Sequence, residues 1–157
     1  MDHTYDRRTV LGLAVGTAAS AAFVASASPT YAAGTAYKAA LNGGSEVPPT
    51  TSTGTGTATV TYDASTKTVT WQGSFSGLSG PATAAHIHGP AEPGKNAGVI
   101  VPLSQKDAPF TSPFQGTATL TDDKAAALAA ALTGGQAYVN IHTAANPGGE
   151  VRGQLKS

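Results

Sequence analysis

The 157-residue chain contains no cysteine. A disulfide framework, a thiolate metal site and a cysteine nucleophile are therefore excluded. Charge is nearly as scarce. Charged residues make up 11% of the chain, and nine Lys and Arg balance nine Asp and Glu. Nucleic acid and anionic membrane surfaces both require a basic patch, so neither is expected as a partner. Aromatic residues are few, with a single Trp, so a core must be assembled largely from Val, Ile, Leu and Ala. Gly and Thr are abundant where Glu and Lys are not, a balance that favours an all-β domain with many turns. The length allows one domain and a leader.

The leader is read from Arg7 and Arg8, which precede the apolar, uncharged stretch 9-TVLGLAVGTAASAAFVASA-27 and the small-residue segment 28-SPTYAA-33. This pattern predicts a cleaved export signal over residues 1–32, of the twin-arginine type, with general secretion as the alternative route. The cut is expected after Ala32 or Ala33, leaving a domain of residues 33–157. The apolar run is borderline in length for a membrane span. Its Ala, Gly and Ser content makes it weakly hydrophobic, and no basic stop follows. A secreted or cell-envelope protein without stable membrane insertion is expected.

The remainder of the chain matches itself. Residues 56-GTATV-60 return as 116-GTATL-120, and 87-IHGPAEPG-94 returns as 141-IHTAANPG-148. Strand signals fall at about 36–41, 56–63, 67–76, 83–88, 98–103, 115–120, 136–142 and 150–155. One segment, 122-DDKAAALAAALTGG-135, reads instead as a helix, with Thr121 as N-cap, Leu128 and Leu132 as its buried stripe and Gly134 closing it. Together these predict a two-sheet, Greek-key-like β-sandwich with an internal duplication and one short Ala-rich helix.

Strand periodicity gives the histidines meaning. Residues i and i+2 of a strand share a face, so His86 and His88 project together while Ala85 and Ile87 turn to the core. In the second copy Val139 and Ile141 take the core side, leaving Tyr138, Asn140 and His142 on the polar one. The internal match sets His88 against His142 and His86 against Asn140. A metal site on His86, His88 and His142 is expected, with imidazoles suited to copper(II) or zinc and water or Glu150 completing the shell. Such an ion should leave as the imidazoles protonate near pH 6.5. Glu150 and Arg152 share a face and are expected to form ion pairs with a neighbouring strand, Arg152 alternatively guiding anions to the histidines. No G-x-S-x-G elbow or Ser-His-Asp set is present, so enzymatic activity is not the favoured reading.

The segments 40-ALNGGSEVPP-49, 85-AHIHGPAEPGKNAGVIVPL-103 and 137-AYVNIHTAANPGGEVRGQL-155 resemble the CHRD domain, named after chordin and common in exported bacterial proteins. The resemblance implies a secreted one-domain β-sandwich. The favoured function is a non-enzymatic binding module with a copper or zinc site. A metal-free adhesion or matrix-interaction module is the alternative. A third reading is a copper-dependent redox protein handling superoxide, because the His86/His88 pair also resembles the copper site of Cu/Zn superoxide dismutases. The disulfide, the fourth copper histidine and the zinc ligands of those enzymes have no counterpart here.

Overall fold

A computed structural model describes residues 34–157 apart from 106, 107 and 109. The leader, with its paired arginines and cleavage site, lies outside the described residues. Eight strands follow the expected order: β1 (Thr35–Asn42), β2 (Thr55–Asp63), β3 (Thr68–Ser76), β4 (Ala82–His88), β5 (Val99–Pro102), β6 (Phe114–Thr119), β7 (Tyr138–Thr143) and β8 (Val151–Gln154). Helix α1 (Asp122–Thr133) stands between β6 and β7. The fold is all-β with one short helix.

The strands join in one antiparallel sheet, ordered β5-β4-β7-β8-β1-β2-β3-β6. Two four-stranded halves, β5-β4-β7-β8 and β1-β2-β3-β6, meet at the seam between β8 and β1. That seam is narrow: Asn42 pairs with Arg152, and a bridge links Lys38 to Lys156. Gly153 makes the approach possible. A Cβ at this position would run into the backbone carbonyl of Ala40, which cannot swing aside as a flexible side chain can. Gly153→Ala is therefore expected to cost about 1–3 kcal/mol through overpacking, read as a lower urea midpoint. An unchanged midpoint would show that the seam is slack.

Alternation builds the core. Val60 and Tyr62 from β2, Val69 and Trp71 from β3, Ala85 and Ile87 from β4, and Val139 and Ile141 from β7 are all buried. Leu128 and Leu132 of α1 are buried with them. The helix ends differ from expectation in detail. Thr121 occupies the N-cap without a side-chain capping bond. The left-handed residue after the helix is Gly135, at φ 67°, whereas Gly134 keeps a right-handed φ of −78°.

Each pair of matching strands falls within one half of the sheet. The two GTAT stretches flank β3 on β2 and β6, while β4 and β7 pair with His86 opposite Asn140 and Ala84 opposite His142. Pro93-Gly94 and Pro147-Gly148 both fall on turns. Every residue of β7 is buried. One of its faces meets the apolar core. The other is polar and is covered by the loops of residues 43–54, 89–98 and 144–150.

Candidate metal centre

The polar face of β4 and β7 brings the three expected histidines together. One ring nitrogen from each of His86, His88 and His142 lies within 4.8 Å of the others. His88 and His142 are buried, at 8% and 9% exposure, and His86 is partly open to solvent. The antiparallel register explains the convergence, since His86 pairs with Asn140, His88 with Tyr138, and His142, opposite Ala84, is the next same-face position along from His86.

Hydrogen bonds fix the orientation of two rings. Nδ1–H of His88 donates to the Ala97 carbonyl at 3.0 Å, and Nδ1–H of His142 donates to the Pro147 carbonyl at 3.0 Å. A carbonyl only accepts, so both rings carry their proton on Nδ1 and present Nε2 as a bare lone pair. His142 Nε2 stands 2.9 Å from His86 Nδ1; in the metal-free protein it accepts that proton. Nε2 of His88 is buried without a partner, and so is Oδ1 of Asn140 in the neighbouring row. The Asn140 amide itself donates from Nδ2 to the Gly148 carbonyl. Two buried acceptors left with no donor are costly, and a metal ion on the ring nitrogen or a proton shared with Asn140 would relieve that cost. Three nitrogens about 2 Å from a zinc or copper ion would be separated by about 3.3 Å in a tetrahedral shell, against separations of up to 4.8 Å here.

Burial also sets the charge state. It depresses the pKa of all three rings, with the His86 value pushed down to about 4 by desolvation first and by its two histidine neighbours second. The carbonyls of Ala97 and Pro147 partly oppose the shift at His88 and His142. Neutral rings are the state in which imidazole binds metal.

The family model described as the CHRD domain matches residues 37–155. The chain belongs to the CHRD domain family. The matched span takes in all eight strands but the first two residues of β1, the helix and the three histidines. No curated protein and no solved structure matches the chain.

Two further residues of this CHRD domain behave differently from the sequence reading. Glu150 does not complete a metal shell and forms no ion pair with a neighbouring strand. Its carboxylate accepts from Ser52 Oγ, from the backbone and hydroxyl of Ser79, from Thr143 Oγ1 and from Asn146 Nδ2. Burial alone would push its pKa up, but this ring of donors outweighs burial and holds it at about 2. Arg152 is buried too, engaged by Tyr138 and loop acceptors and not by the histidine rings. Its guanidinium lies 3.4 Å over the Tyr138 ring and donates to Lys95 O, Asn96 Oδ1 and Gln154 Oε1. Tyr138 in turn stacks on His88 with ring centroids 4.9 Å apart. Glu46 was not singled out by sequence; it is 5% exposed, with Oε1 buried and unpartnered. Nothing in 43-GGSEVPP-49 distinguishes it from a solvated loop acid.

Among the described residues no helix is long and apolar enough to cross a membrane.

Proposed function

We propose that this CHRD domain is an exported, non-enzymatic binding module that holds copper(II) or zinc on His86, His88 and His142. The observation that carries the reading is the direction of the lone pairs. Loop carbonyls occupy the outer nitrogens of His88 and His142, so their inner nitrogens face the cluster bare, and one of them has no donor at all. Packing alone gives no reason to collect unprotonated nitrogens around one point; metal ligation does. Imidazole donors suit either ion. The ion is expected to organise the two related turns for contact with an extracellular partner. Residues 1–32 are part of the same reading, as an export signal.

The test uses protein recovered from outside the producing cells. Its first residue should be Ala33 or Gly34, and elemental analysis should find about one copper or zinc per chain. His88→Ala should retain the secondary structure and lose the metal. Metal-free wild-type protein that also fails to take up either ion in titration would leave the metal-free interaction module as the better reading.

A further inference from the structure

The loops that cover the polar face leave a cleft between them. Its volume is about 370 Å³, with walls from Gly44, Val47 and Pro49 on one side and Pro93 and Gly94 on the other. Glu46, Arg152 and Gln154 also line it. This is within the size range of small-molecule sites, and the arrangement of mobile-length loops over a rigid sheet is where such sites are usually built.

The cleft holds one acid and one base that do not meet. Among the described residues the close ion pair is Lys67 with Asp122, on another part of the surface. Glu46 and Arg152 feel each other's charge, yet form no such contact. Arg152 spends three N–H groups on Lys95, Asn96 and Gln154, leaving others unused. Oε1 of Glu46 makes no well-formed hydrogen bond, although it faces Gly149 and the Asn140 amide and feels the charge of Arg152. Gly149 makes room for that oxygen, since a Cβ there would strike both Glu46 Oε1 and the Asn140 amide. A buried carboxyl kept without a partner is a cost that a ligand can relieve.

We propose that this cleft binds a small zwitterion of the α-amino acid class, with its ammonium on the Glu46 carboxyl and its carboxylate toward Arg152. The two poles of the cleft match the two poles of the ligand, and the net charge of both is zero. Val47, Pro49 and Pro93 form an apolar wall that favours an uncharged aliphatic side chain. Burial has pushed the Glu46 pKa up to about 7, against the pull of Arg152, Val47 N–H and the Asn140 amide, and a bound ammonium would bring it back down. The site uses none of the three histidines and requires no metal, although Arg152 adjoins His88 through the Tyr138 ring.

L-valine is the probe, followed by amide chemical shifts of the metal-free domain at millimolar concentration. Shifts are expected at Glu46, Val47, Gly94 and Arg152, and acetate or methylamine alone should produce much weaker ones. Glu46→Gln keeps the shape of the side chain and removes its charge. It should weaken valine binding about tenfold or more while leaving the fold intact. Ser45→Trp, at the exposed mouth, should block the cleft without touching its floor. The proposal is overturned if valine moves no cleft amide, if acetate binds as well as valine, or if Glu46→Gln binds valine as the wild type does.

Discussion

Glu150→Ala is expected to lower the stability of the domain by about 3 kcal/mol or more, one of the largest effects available to a single substitution here. Glu150 is fully buried, and its carboxylate ties Ser52, Ser79, Thr143 and Asn146 to one point. Its own backbone carbonyl accepts from Thr50. Removing the side chain leaves several buried donors unpaired, and Glu150→Gln would still turn an amide N–H₂ toward groups that only donate there. The pH dependence has a definite sign. The folded-state pKa is about 2 against an ordinary 4.5, so the unfolded chain takes up the proton first as pH falls. The stabilisation is complete above about 4.5 and is lost as pH drops through about 2. Urea midpoints measured from pH 7 to pH 2 should fall more steeply for the wild type than for Glu150→Gln. Equal slopes, or an alanine variant within 1 kcal/mol of wild type (roughly the spread of ordinary substitutions), would refute this account of Glu150.

The second large effect is the response to metal. Copper(II) or zinc at a hundred times its dissociation constant should add about 2.7 kcal/mol, a rise in Tm of roughly 10 °C for a domain of this size. His88→Ala should abolish the rise. Free imidazole would release metal near pH 6.5, but burial moves that point. With the His86 pKa down at about 4 and the other two below 6.5, protons compete with the ion only in more acidic solution. The metal-induced rise should therefore persist at pH 6 and fade toward pH 4. The metal-free protein has its own trend, because unfolded histidines protonate first. The histidine contribution should be lost as pH falls from about 6.5 to about 4 and level off below, where the loss of the Glu150 contribution takes over. A metal effect already gone at pH 6.5 would mean that the rings are solvated and the centre is not built as described.

Much of this was legible in the sequence because strand periodicity is a local property. The parity of 85-AHIH-88 and 138-YVNIH-142 suffices to place every one of those side chains on the correct face, whereas the IHxxAxPG match only draws attention to the two strands, and their pairing is what brings them together. The eight strands and α1 were also readable from alternation, turn residues and the Leu128/Leu132 spacing. What escaped depended on contacts distant in the chain. That the two halves of the sheet join at β8 and β1 turns on Gly153 meeting Ala40. The fate of Glu150 turns on hydroxyls from Ser52 and Ser79, remote residues of a type too common here to stand out. Glu46 is buried only because two loops close over it, and no local pattern announces a loop acid that will lose its water.

The β8–β1 seam also bears on how the chain finds this structure. Strands β1, β2 and β3 follow one another as a meander, with pairings that close over short stretches. The seam joins Asn42 to Arg152, and the neighbouring clasp joins Thr50 and Ser52 to Glu150, contacts separated by about a hundred residues. Contacts of that span are entropically slow to reach. The meander can therefore assemble while the terminal segment is still free, and the barrier to the native state belongs to the closing of the two ends of the domain on each other. Loosening the seam should slow folding in proportion to how much of it is already made when that barrier is crossed.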